Sequence, residues 1–522
     1  MKKLFCMLLC AVLLLSACSG ALGAGALPGT DALRYEGPGF DTPEDAVLYY
    51  LAGLKNLDME QMLGAFAWET QAAHYSFRDH TIRRKGANPV SIPGMPFSDG
   101  FLTCGNVEVM RGNQANSIYS AMEWYFLGDS HYMNTPTLSL RIRDSGEADE
   151  FLKLYSTEKI EKLAGMAEVS FYDPSVVTEG RFSHPKRQEI FEKETREYGA
   201  DEVVNVVAVA DLGGEKLAVA PTVGRYGDRW YLLNVGSMVS TILAIDVKRQ
   251  AFTVLPEETA GMLQSVTPVK TARLPEGRHQ AFRYEGDGFG TPEEAVIFYM
   301  EGLRDRNVQK MLGAFAWETQ AARYSVKDNI LRNEVIMSSF PVRMPSLTPG
   351  LISANCASLR SRQSWNIYQA IRCFVLQDAD PESAAGQLCR NYDVRLKTEE
   401  EVDAFINAFD NPRTGKLPGM TGLRTVPTEQ LLGEKYRSEG TRKQLESYKR
   451  IYGADEITDL IGVADLGDET LFCNPLLARY GDRWYLVSVS GIYVYAMGIE
   501  PQKQAFFTLP GSFEDLAAGL GE

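Results

Sequence analysis

Residues 34–79 read RYEGPGFDTPEDAVLYYLAGLKNLDMEQMLGAFAWETQAAHYSFRD, and residues 283–328 read RYEGDGFGTPEEAVIFYMEGLRDRNVQKMLGAFAWETQAARYSVKD. Self-similarity at a fixed offset marks a repeated structural unit, so this pair of stretches decides the architecture. The offset is 249 here and rises to 254 further on, where Tyr198-Gly199-Ala200-Asp201-Glu202 matches Tyr452 to Glu456 and Arg225 to Leu232 matches Arg479 to Leu486. The second copy therefore carries five extra residues, expected in the loop around Asp378 to Cys389. Both copies end alike, in Ala251-Phe252-Thr253-Val254-Leu255-Pro256 and Ala505-Phe506-Phe507-Thr508-Leu509-Pro510. The expected organisation is a first α+β domain over 34–256, a linker over 257–282 and a second α+β domain over 283–510.

Each copy opens with a helix start: Thr42 caps, Pro43 takes the first helical position and Asp45 reaches back, repeated by Thr291, Pro292 and Glu294. Val47, Tyr50, Leu51 and Leu54 fall on one helical face, and a second helix follows Asp58 or Asn307 as cap. In the middle third, helices are predicted near Ile118 to Leu127, Ala148 to Tyr155 and Pro185 to Tyr198. The closing third reads as strands: Val203 to Ala210, Leu217 to Val223, a turn at Tyr226-Gly227-Asp228, then Trp230 to Val235. Helices first and an antiparallel meander last imply an α+β fold, N-terminal helices packed on a curved C-terminal sheet.

The amino terminus, MKKLFCMLLCAVLLLSACSG, runs from Lys2 and Lys3 through an apolar stretch too short to span a bilayer as a mature helix. This is the order of a secretory signal over residues 1–17. Leu15-Ser16-Ala17-Cys18 resembles the lipobox of bacterial lipoproteins, which implies lipid on Cys18 and a small-residue tether over 18–33. An ordinary cleaved signal with a chance cysteine is the alternative. The resemblance implies a body exported and held at the outer face of the bacterial cell membrane, or in the periplasm if the cell has an outer membrane. Residues 511–522 form a C-terminal tail.

The formal charge of −15 and pI near 5.1 argue against nucleic acid as a partner. Beyond the signal and Cys18, five cysteines remain (Cys104, Cys356, Cys373, Cys389, Cys473), odd in number and without a C-x-x-C pair. A disulfide scaffold and a structural zinc site are both poor readings; Cys373 and Cys389 either pair in an oxidising compartment or stay as buried thiols. All five histidines lie in the first copy or the linker, and His74 and His80 become Arg323 and Asn329 in the second. No metal, no cofactor and no catalytic residue is assigned, since G-x-S-x-G, H-E-x-x-H and P-loop patterns do not occur.

The T-P-E-[DE]-A-V helix start, the second helix ending in Met-Leu and the strand closing on Y-G-D-R-W-Y-L resemble the nuclear transport factor two-like superfamily. That resemblance covers about half of each copy and implies a cone, with a curved sheet wrapped by helices around a pocket. The longest identical block, Met62 to Ala73 and Met311 to Ala322, then places Trp68 and Glu69 (Trp317 and Glu318) at a pocket mouth, with Tyr75 and Tyr324 beside them. The competing reading makes Trp68 a core residue and Glu69 a helix-end partner.

The leading expectation is a membrane-tethered, non-catalytic binding or interaction module for a small molecule, peptide or envelope protein. Enzymes of the superfamily supply the alternative, in which Glu69 or Asp79 with Tyr75 imitates a steroid isomerase-like carboxylate site; an envelope scaffold is a third. Because single domains of that superfamily often pair through their sheets and the closing strands here are apolar on both faces, the two copies are expected to pack as an intramolecular pseudo-dimer; two independently moving domains joined by the linker are the alternative.

Overall fold

The computed structural model describes residues 34–84, 94–95, 100–128, 130, 139–276, 283–337, 340–388, 394–410, 412–433 and 436–513. The signal, Cys18, the tether, Cys389 and most of the C-terminal tail lie outside the described residues. Among those described, no helix is long and apolar enough to cross a membrane.

The chain is α+β, and its halves repeat one order of elements. In the first, helices Pro43–Lys55, Met59–Leu63, Glu69–His74 and Phe77–Arg83 lead to a long helix, Gly100–Leu127. Two further helices, Ser145–Lys153 and Thr157–Ala164, precede strand Glu168–Tyr172, helix Pro185–Tyr198 and the closing strands. The second half repeats this from Pro292–Arg304 through the long helix Pro349–Val375 to strands Glu456–Asp465, Glu469–Cys473, Leu476–Tyr480 and Arg483–Ser488.

The expected caps are present. Thr42 accepts from the Asp45 amide, Thr291 and Glu294 form a reciprocal capping box, and Asp58 and Asn307 cap the second helices. Gly227 and Gly481 take a positive φ of 63° in their hairpin turns, where a side chain would be strained.

Strand Glu456–Asp465 crosses the whole second sheet: its first half pairs with Leu476–Tyr480 and its second half with Glu469–Cys473. The first copy breaks the same strand into Glu202–Asn205 and Val207–Asp211, splitting its sheet into five-stranded and three-stranded parts. In both copies a side-chain amide of the long helix, Gln114 or Gln363, accepts from the backbone at the end of the closing strand, Val235 or Val489.

Four expectations change. The strands predicted at Val203–Ala210 and Leu217–Val223 are each broken in two, into Glu202–Asn205 and Val207–Asp211 and into Lys216–Val219 and Thr222–Tyr226. The helix predicted near Ile118–Leu127 begins at Gly100 and runs 28 residues. The stretch read as a linker holds helix Glu257–Gln264 and strand Lys270–Arg273, which pairs antiparallel with Glu168–Tyr172 at the edge of the first copy's sheet. The copies meet mainly through their two long helices rather than through their main sheets. The second face of each closing strand is already covered within its own copy: Tyr231 and Leu233 pack with Tyr198 of helix Pro185–Tyr198, and Tyr485 and Val487 pack with Leu445 and Tyr448 of helix Glu439–Tyr452.

The long helices run antiparallel and touch closely where Gly112 meets Ser361, positions related by the repeat offset of 249. A Cβ on Gly112 would lie 2.9 Å from Ser361 Oγ, and that hydroxyl donates to the Gly112 carbonyl at 2.8 Å. Flanking pairs obey the same pseudo-two-fold: Arg78 bonds Asp403 at 2.8 Å, while Lys327 bonds Asp149 at 2.7 Å. Strand Ser139–Arg141 of one copy also pairs with Val335–Met337 of the other.

Candidate functional site

The identical block closes a clasp inside each copy. Glu69 accepts from the backbone amides of Tyr35 (2.7 Å) and Glu36 (3.0 Å), while the Glu36 carboxylate accepts from the Thr70 amide (2.8 Å) and hydroxyl (2.6 Å). Glu318, Tyr284, Glu285 and Thr319 repeat it at 2.8, 2.9, 2.8 and 2.6 Å. Burial pushes the Glu69 carboxyl up, against the lowering effect of those amides. The clasp fixes the extended entry segment onto a helix start, so the RYEG and WET motifs are two ends of one contact.

Trp68 and Trp317 lie in the core, 1% and 0% exposed, rather than at a pocket mouth. Each indole donates to a backbone carbonyl at 2.9 Å (Leu63, Leu312) and stacks on a phenylalanine, Phe66 or Phe315.

Tyr75 and Tyr324 have diverged. The Tyr75 hydroxyl donates to Glu197 at 2.8 Å and contacts His80, and Glu197 also binds His80 and Arg83. Burial alone would raise the Glu197 carboxyl; the His80 hydrogen bond, the Arg83 charge and the Tyr75 hydroxyl outweigh it and hold the group below the usual carboxylate range. The second copy has Asn329 and Ile451 at the positions of His80 and Glu197, and Tyr324 packs edge-on against Tyr452. Asp79 accepts from the Ser76 hydroxyl at the start of its helix, apart from Glu69. These carboxylates are therefore committed to local structure.

Sequence reasoning did not single out the cluster on the pseudo-two-fold. Arg111 donates to the Tyr284 hydroxyl (2.6 Å) and to Glu60 (2.5 Å) and lies over the Tyr35 ring at 4.8 Å. Arg360 donates to the Tyr35 hydroxyl (2.6 Å) and to Glu108 (2.9 Å) and lies over the Tyr284 ring at 4.4 Å. All six side chains are buried. Each arginine thus bonds one tyrosine and stacks on the other, tying both copies together by charge-assisted hydrogen bonds and cation–π contacts. The arginines and tyrosines are related by the 249 offset, but both carboxylates come from the first copy, whose Glu60 and Glu108 correspond to Gln309 and Ala357. The shared offset of Arg111 and Arg360 was the available signal.

Beside this cluster lies a cleft of about 390 Å³ built from both copies, with Leu57 and Glu60 on one side and Tyr284, Glu318, Ile352 and Cys356 among the residues on the other. Of the residues expected to bind a ligand, Glu318 lines it. Cys104, Cys356 and Cys473 are free thiols, and Cys373 is disulfide-bonded to a partner outside the described residues. Among the described residues no group of three or more His, Cys, Asp or Glu could hold a metal ion.

No family model and no curated protein matches the chain. A solved structure is similar: a cystatin-like protein from Ruminococcus gnavus ATCC 29149, at 14% identity and a TM-score of 0.53, over 92% of this chain and 95% of that one. At that identity the likeness speaks to fold alone, and the fold it supports is the cystatin-like α+β architecture.

Proposed function

We propose that the chain is an exported lipoprotein, anchored through Cys18, whose two copies form one non-catalytic module that binds a small, mostly apolar molecule in the cleft between them. The cleft carries this reading: its size suits a small ligand, and Leu57, Pro349, Gly350 and Ile352 give it apolar walls. Its bordering carboxylates are already occupied, Asp58 by the Gln61 amide of the helix it caps, Glu60 by Arg111 and Tyr284, and Glu318 by two backbone amides. That arrangement supports binding over proton transfer, which needs a carboxylate facing its substrate.

Two measurements test the two halves of the reading. Cys18→Ala should move the protein from the membrane to the soluble fraction, and retention at the membrane would refute anchoring by lipid. The uncharged dye N-phenyl-1-naphthylamine should brighten on binding the full chain, and Ser353→Trp, at the cleft wall, should abolish the signal. No brightening, or equal brightening in Ser353→Trp, would refute the cleft as the site.

A further inference from the structure

A second cavity, of about 490 Å³, lies wholly within the first copy, between the end of its long helix, helix Thr157–Ala164 and the strand Thr253–Val254. Trp124, Tyr125 and Phe252 supply aromatic walls, and among the described residues Lys159, Lys162 and Arg249 supply positive charge against one carboxylate, Glu215. A net positive pocket is unexpected on a chain of formal charge −15.

Its polar groups are unevenly used. Lys162 pairs with Glu215 at 3.0 Å, and Lys159 donates to the Tyr125 and Phe126 carbonyls that end the long helix, each at 3.0 Å. The Arg249 guanidinium lies over the Trp124 ring at 5.2 Å. Both Arg249 Nε and Trp124 Nε1 are buried without a hydrogen-bond partner among the described residues. Two orphaned donors, one of them on an Arg249 with no carboxylate partner among the described residues, ask for a group that only accepts hydrogen bonds.

In the second copy the residues at the same positions are paired differently. Arg413 stands at the position of Lys159, lies over Phe374 at 4.6 Å and bonds Asp378 (2.9 Å) and Glu469 (2.6 Å). Lys503, at the position of Arg249, pairs with Glu500, and Cys373, at the position of Trp124, is disulfide-bonded. There Arg413 and Lys503 are paired with carboxylates of their own copy; in the first copy Lys159 and Arg249 line a cavity without a carboxylate partner among the described residues.

We propose that the first copy's cavity binds an organic anion, with a carboxylate, sulfonate or phosphate head on Arg249 and Trp124 Nε1 and an aromatic or short acyl body against Tyr125 and Phe252. A guanidinium suits such heads because its fork matches two oxygens at once. The site is separate from the cleft between the copies and stands whether or not that cleft binds anything.

The test is calorimetry on the full chain carrying Ser353→Trp, which blocks the cleft between the copies, with 1-naphthoate as the probe and uncharged 1-naphthalenemethanol as its control. One naphthoate should bind per chain, and the alcohol should bind at least tenfold more weakly. Arg249→Gln should weaken naphthoate at least tenfold, whereas Lys503→Gln, its counterpart in the second copy, should leave it unchanged. Thermal melting of both variants establishes that they are folded, and Trp124→Phe, which keeps an apolar wall but removes the N–H, should also weaken binding. No binding of naphthoate, equal affinity for the alcohol, or full affinity in Arg249→Gln would overturn the proposal.

Discussion

Glu108 and Glu197 show how single carboxylates make one copy differ from the other. Glu108 is the partner of Arg360, and the second copy has Ala357 in its place. Glu108→Ala should leave Arg360 buried with the Tyr35 hydroxyl and aromatic rings around it but without its carboxylate partner, a loss of about 3–5 kcal/mol expected when one partner of a buried ion pair is removed. Urea unfolding of Glu108→Ala and of Glu108→Ala/Arg360→Met checks this: the double variant should recover most of the loss, since no charge is then stranded. Glu197 is held below the usual carboxylate range after its neighbours outweigh its burial. Because its folded-state pKa is depressed, the stability it contributes is present above about pH 4.3, the value for a free glutamate, and is lost as pH falls through the lower folded value. Unfolding followed from pH 7 to pH 3 should show a steeper acid loss in the wild-type protein than in Glu197→Gln. Parallel curves would show that Glu197 does not carry that dependence.

Among the elements, the long helices were the least legible in sequence, for a physical reason. Gly100–Leu127 buries Asn106, Glu108 and Arg111 as well as Val107, Val109 and Met110, so it has no simple alternation of apolar and polar faces for periodicity to find. Only its last third, from Ile118, reads as a helix, while its partner contacts come from residues more than 200 positions away, such as Asn355 against Tyr119. The short opening helices were legible because their caps are local: Thr42, Asp58, Thr291 and Asn307 act within three residues of themselves. The clasp of Glu36, Glu69 and Thr70 was half visible, as identity between copies, but its partners lie 33 and 34 positions apart and only folding joins them. Gly112 is a point of close approach between the long helices. Gly112→Val should overpack that contact and cost about 1–3 kcal/mol, read as a lower unfolding midpoint, whereas Gly100→Ala, with open space around its Cβ position, should change little. Equal effects at both glycines would deny that the helices are pressed together at Gly112.

On the scale of the whole molecule, the repeat builds one body from two unequal halves. The arginines and tyrosines of the central cluster are shared out symmetrically, while the carboxylates that neutralise the arginines come from the first copy alone. Two second copies meeting in the same way would bury two arginines with no carboxylate, and two first copies would bury a surplus of carboxylate, so the asymmetric pair is the one that balances charge. The copies also differ at the proposed anion cavity, where Lys159 lines the space in the first copy and Arg413, at its position in the second, is bonded to Asp378 and Glu469. The central claim, that the copies are packed as one rigid unit within a single chain, is tested most directly by small-angle X-ray scattering on the chain lacking residues 1–33. The sample should scatter as a monomer with a single-peaked distance distribution and a radius of gyration near the roughly 23 Å of a compact globule of this length. A distance distribution with two separated maxima, or the mass of a dimer, would contradict it.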